Sequence, residues 1–103
     1  MTLEGATPLI GKDFICKNNN IITDLTGAPK VIGGNFDCSN CPKLKTLNGA
    51  PQEIGGEFNL TDCSELSSLE GGPQIVGKDC ICTGCDKLIS LENRPKTGGS
   101  FRM

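Results

Sequence analysis

Phe14, Phe36, Phe58 and Cys80 stand 22 residues apart, and no other feature of this chain restricts its fold so strongly. Two positions later the same step links Cys16, Cys38, Leu60 and Cys82. Five positions after the Phe come Asn19, Cys41, Cys63 and Cys85; eight after, Ile22, Leu44, Leu66 and Leu88. Eleven after stand Leu25, Leu47, Leu69 and Leu91, with Leu3 one step earlier. Ile10, Ile32, Ile54 and Val76 make another column, followed by Gly11, Gly33, Gly55 and Gly77, and Pro29, Pro51, Pro73 and Pro95 a third. A period of this length, kept over almost the whole chain, is the mark of a solenoid.

The unit opens apolar-x-apolar, the period-two pattern of a short strand with one buried face. A Cys or Asn follows, then Leu at three-residue intervals, where the backbone bends. G-x-P then breaks any helix, because Pro lacks a donor and restricts its predecessor. The expected fold is mainly β: one right-handed leucine-rich-repeat-like solenoid of about four turns, with short parallel strands on one face and little or no α-helix. The turns fall at about 3–24, 25–46, 47–68 and 69–90, with a partial turn at 91–103, all in one domain. The first turn places Pro8 one position late, and the last, PKTGGSFRM, is a residue short. Stacked turns about 4.8 Å apart lay each column over itself. One turn cannot bury its own apolar face, whereas three or more can.

The segments FDCSNCPKLKTL, FNLTDCSELSSL and CICTGCDKLISL resemble leucine-rich repeats, in the variety with Cys at the Asn position. The wording G-A-P-x-x-I-G-G-x-F-x-C is similar to short leucine-rich-repeat-like proteins encoded by tailed bacteriophages and some bacteria. The resemblance implies the fold and a protein-binding role, with no catalytic residues. In a phage setting it implies an accessory protein that binds and modulates or inhibits a bacterial host or defence protein.

Seven cysteines include two C-x-x-C pairs, Cys38/Cys41 and Cys82/Cys85, the spacing of zinc and redox sites. In the repeat, Cys38 and Cys82 point inward from strands, while Cys41, Cys63 and Cys85 line the bend, where Asn19 stands in the first turn. The two pairs are two turns apart, about 10 Å at the strand spacing, so four sulfurs cannot meet at about 2.3 Å from one zinc ion. The expectation is core packing, with no metal and no cofactor. Cys41 and Cys63 are expected to approach disulfide distance across turns, yet to stay thiols in a reducing compartment.

Net charge is −2, which argues against capture of nucleic acid or of an anionic membrane. No apolar run reaches the length of a membrane span, and MTLEGATPLIGKD lacks a basic region followed by an apolar stretch. The expected location is therefore the cytoplasm, that of a bacterial host if the chain is phage-encoded. Asn59-Leu60-Thr61 matches a glycosylation acceptor by chance on this reading. GATPLIGKD, at residues 5–13, has one residue too many for a phosphate-binding loop and Asp13 where Ser or Thr is required.

The outward strand positions form the candidate surface. One column reads Asp13, Asn35, Glu57, Asp79; the next Ile15, Asp37, Asn59, Ile81; a third Lys17, Ser39, Thr61, Thr83. Stacked Glu57 and Asp79 match the carboxyl spacing of retaining glycosidases. With Tyr and Trp absent and every Phe inside, however, no sugar platform is on offer and no enzyme is expected. Asp13, Ile15, Lys17, Asp37, Glu57, Asn59, Asp79 and Ile81 are the expected partner-binding residues, suited to a protein with a basic surface. The ends of the solenoid are the second expected interface, because open strand edges invite end-to-end dimerisation.

Overall fold

The structure is a computed structural model that describes residues 13–89, 92 and 94–103. Leu3, Pro8, Ile10, Gly11 and Leu91, with the phosphate-loop likeness at residues 5–12, lie outside the described residues. Among the described residues, nine two-residue strands alternate between two parallel sheets and no residue is helical. The first sheet contains β1 (Phe14–Ile15), β3 (Phe36–Asp37), β5 (Phe58–Asn59), β7 (Cys80–Ile81) and β9 (Phe101–Arg102), in that order. The second contains β2 (Val31–Ile32), β4 (Glu53–Ile54), β6 (Ile75–Val76) and β8 (Lys96–Thr97). The chain is a β-solenoid. Strands were expected on one face only; the second ladder is an addition.

Register follows the sequence columns. Phe14 pairs with Phe36 and Phe36 with Phe58, while Ile32 pairs with Ile54 and Ile54 with Val76. In the last turn the step shortens to 21, Cys80 pairing with Phe101 and Ile75 with Lys96. Pro95 still follows Pro73 by 22 residues, so the missing residue is the counterpart of Gln74. The Lys96 amide accordingly donates to the Gln74 carbonyl at 2.9 Å.

The bends are separate β-turns, which is why three-residue Leu spacing does not grow into a helix. Amide to carbonyl bonds three residues back close the corners, as in Leu44 to Cys41 and Leu66 to Cys63, both 3.1 Å. The corner before each bend Cys needs a positive φ, met by Asn18 (61°), Asn40 (55°), Asp62 (61°) and Gly84 (81°). Asn, Asp and Gly are the residues that enter this region at least cost. A second corner places Gly27, Gly49 and Gly71 at φ 92°, 86° and 83°, each two residues before a Pro. The column Gly33, Gly55, Gly77 has a different cause. A Cβ on Gly55 or Gly77 would collide with the carbonyl oxygen of the glycine one turn below.

The columns meet inside. Phe36, Phe58, Ile22, Leu25, Ile32, Leu44, Leu47, Ile54, Leu60, Leu66, Leu69 and Val76 are all fully buried. Phe14, Phe36 and Phe58 stack with ring centroids 5.2 and 5.3 Å apart. Burying each such side chain stabilises the fold by about 1.5–3 kcal/mol. Pro29, Pro51, Pro73 and Pro95 are buried beside them.

Candidate binding faces

In the first sheet, backbone amides of one turn donate to carbonyls of the next: Phe14 to Asn35 at 2.8 Å, Phe36 to Glu57 at 2.8 Å and Phe58 to Asp79 at 3.0 Å. The ladder leaves the amides of the preceding column without backbone acceptors, and side chains supply them. Asp13 Oδ1 accepts from Asn35 N, Asn35 Oδ1 from Glu57 N and Asp79 Oδ1 from Ser100 N, each at 2.8 Å. Asp79 is also 3.3 Å from the Arg102 guanidinium. Asp13 and Asp79, proposed from sequence as contact residues, thus hold the turns together. Glu57, one methylene longer, makes no such bond and leaves its carboxylate to the surface.

The neighbouring column is tied within its own turn. Asp37 Oδ1 accepts from the Ser39 amide and hydroxyl at 3.0 and 2.7 Å, and Asn59 Oδ1 from those of Thr61 at 3.0 and 2.6 Å. Fold and hydrogen bonds bring the eight sequence-proposed residues onto one sheet and its margin. The register aligns Ile15, Asp37, Asn59, Ile81 and Arg102 in a single row. Ile15 is 61% exposed, Ile81 is half-buried and Lys17 is exposed.

Sequence reasoning missed a second face. Val31, Glu53, Ile75 and Lys96 stack in register on the outer side of the second sheet, all exposed. The available signal was a second period-two pair, an exposed residue before each buried Ile or Val of the column that precedes the glycines. Beside this row lies a groove of about 480 Å³ whose walls include Leu69, Pro73, Ile75, Arg94 and Lys96. Among the described residues, neither this groove nor its neighbour at Arg94, Pro95 and Phe101 is lined by a carboxylate, so the Glu57/Asp79 pair sits in neither.

The cysteines belong to the interior. Cys38, Cys41, Cys63, Cys80, Cys82 and Cys85 are buried and Cys16 is partly buried, all as thiols. The bend column donates S–H to carbonyls of the preceding turn: Cys41 to Cys16 at 3.4 Å, Cys63 to Cys38 at 3.1 Å and Cys85 to Leu60 at 3.1 Å. Asn19, in the same column, accepts from the Ile21 and Ile22 amides at 2.9 and 3.1 Å. The sulfurs of Cys16 and Cys38 meet at 3.1 Å. Cys41 and Cys63, the pair expected to approach, do meet across the turns: their sulfurs share a hydrogen bond while each thiol also faces a carbonyl.

Hydrogen bonding to Cys38 and then to Cys41, together with burial, pushes the Cys16 thiol up. Burial raises Cys38, and the hydrogen bond to Cys80 pushes Cys82 up to about 12. Cys63 and Cys85 rise through hydrogen bonds to Cys41 and Cys82, and through burial. Cys41 runs the other way, its pKa lowered because the thiols of Cys16 and Cys63 hydrogen-bond to its sulfur. Cys38/Cys41 and Cys82/Cys85 follow β3 and β7, with β5 between them. Among the described residues, no three His, Cys, Asp or Glu side chains are grouped to hold a metal ion, and no helix is long and apolar enough to cross a membrane.

The fold and its surfaces define a parallel β-solenoid with a polar, apolar-flanked sheet face. Comparison with protein families, curated proteins and solved structures finds no match to this chain.

Proposed function

We propose that this protein is a non-catalytic protein–protein interaction module whose working surface is the outer face of the first sheet. The observation that carries the reading is the row Ile15, Asp37, Asn59, Ile81: two isoleucines flank polar side chains already fixed by Ser39 and Thr61. Side chains held before a partner arrives lose little entropy on binding. An exposed isoleucine such as Ile15 adds apolar contact area. Asp37 and Glu57 suit a partner with a basic surface. The leucine-rich-repeat-like wording of the turns supports the narrower reading, a phage accessory protein that modulates a bacterial host or defence protein in the cytoplasm.

The test is affinity capture from bacterial lysate with wild type beside two double variants. Ile15→Lys with Glu57→Lys alters the first face, and Val31→Lys with Ile75→Lys the second. A protein held by wild type and by the second-face variant, but lost by the first-face variant, supports the reading. The same protein on all three baits refutes it.

A second reading is self-association through the solenoid ends. It is favoured by β1 and β9, which among the described residues are the outermost strands of the first sheet, with half-buried Phe14 and Phe101. Mass that rises with concentration in light scattering selects this reading, and a constant monomer mass removes it.

A further inference from the structure

Six of the seven thiols are buried, and the seventh, Cys16, is the one that solvent reaches. Its sulfur lies 3.1 Å from that of Cys38, the residue stacked on it one turn ahead. In-register neighbours on parallel strands have Cα atoms about 4.8 Å apart, within the 4.4–6.8 Å that a disulfide spans. The other strand cysteines, Cys80 and Cys82, have no cysteine stacked on them one turn away, although Cys82 hydrogen-bonds with Cys80 and Cys85 in its own turn. Cys80 is flanked in its sheet by Phe58 and Phe101, and the stacked neighbour of Cys38 on its far side is Leu60. In the bend, Cys41, Cys63 and Cys85 set their thiols on carbonyl oxygens, and Cys41 also hydrogen-bonds with Cys16 and Cys63, which makes it the competing partner.

We infer that Cys16 and Cys38 form an oxidative modification site: a hydroperoxide converts the pair to a disulfide that staples the turns carrying β1 and β3. The Cys16 thiolate attacks one peroxide oxygen, the O–O bond breaks, and water leaves once its oxygen is protonated. Cys16 is then a sulfenic acid. The Cys38 sulfur attacks that sulfur, the S–O bond breaks, and the departing hydroxide takes the Cys38 proton and leaves as a second water. Two thiols and one hydrogen peroxide give one disulfide and two waters, with both sulfurs oxidised and both peroxide oxygens reduced. Hydrogen bonds to Cys38 and then Cys41, together with burial, hold the Cys16 proton tightly. Oxidation is therefore slow at neutral pH and accelerates as pH rises past the ordinary thiol range. The bridge closes a loop of about 22 residues, which constrains the unfolded chain and raises the melting temperature.

The experiment treats the full chain with hydrogen peroxide, blocks remaining thiols and reads intact mass. The expected product has lost two hydrogens and keeps five blockable cysteines. Fragmentation of the proteolysed wild type joins Cys16 to Cys38, its melting temperature rises by several degrees, and dithiothreitol reverses both. Cys16→Ser abolishes the mass loss and Cys41→Ala retains it. Fragmentation of the wild type decides the pairing even where a buried variant fails to fold. A bridge from Cys16 to Cys41, added oxygen without hydrogen loss, or a bridge that survives in Cys16→Ser overturns the inference.

Discussion

The side-chain oxygen of Asn35 accepts the backbone amide of Glu57, one full turn ahead, at 2.8 Å. This bond supplies an acceptor that the strand ladder does not provide, so Asn35→Ala should destabilise by about 0.5–1.5 kcal/mol in chemical denaturation. Asn35→Asp keeps the acceptor and should cost less. Equal losses in the two variants would show that the side chain acts through something other than this bond.

Phe36 is fully buried between Phe14 and Phe58. Phe36→Ala leaves a cavity in the stack and should cost about 3–5 kcal/mol. A loss below about 1 kcal/mol would contradict its place in the core.

Cys63 donates to the Cys38 carbonyl at 3.1 Å from a buried position. Cys63→Ala removes the donor and some packing, and should lower stability by about 1–3 kcal/mol. A chelator such as EDTA should leave the wild-type melting curve unchanged. Unfolding by chelator alone would mean that these cysteines hold a metal.

The ladders were legible in the sequence because every buried column keeps its chemical type over steps of 22 residues. Phe, Cys and Leu each report the same inward direction again and again. The second sheet was less legible. Its strands are two residues long, their outward members Val31, Glu53, Ile75 and Lys96 mix apolar with charged, and glycines follow directly. Propensity over two such residues carries little information. The column Asn18, Asn40, Asp62, Gly84 did hold a readable signal, since these residue types share tolerance of positive φ. Asp13 and Asp79 read as surface charge because an acceptor for a backbone amide one turn ahead has the same sequence signature as a solvated carboxylate. That distinction needs the ladder in three dimensions.

Five buried or partly buried thiols, Cys16, Cys38, Cys63, Cys82 and Cys85, hold their protons more tightly when folded, against Cys41 alone in the opposite sense. A raised folded-state pKa contributes stability that is fully present below the unfolded value of 9.0 and is lost as pH rises toward about 12 for Cys82. Above pH 9.0 the native chain binds more protons than the unfolded one, so unfolding free energy falls with pH. Melting temperature measured by circular dichroism should therefore drop across that window, and replacing Cys82 by Ala should make the drop shallower. A melting temperature that is flat or rises over the same interval would contradict this thiol balance.

Isoleucines around the perimeter make the central proposal directly measurable. Ile15 and Ile81 lie on the first sheet, Ile75 on the second, and Ile21 and Ile89 outside both, with Ile89 91% exposed. Methyl NMR spectra of isoleucine-labelled protein, titrated with the captured partner, would report which of these surfaces it covers. Shifts are expected at Ile15 and Ile81 while Ile21, Ile75 and Ile89 stay in place. Shifts at Ile75 or Ile89, with Ile15 and Ile81 unmoved, would contradict the proposal.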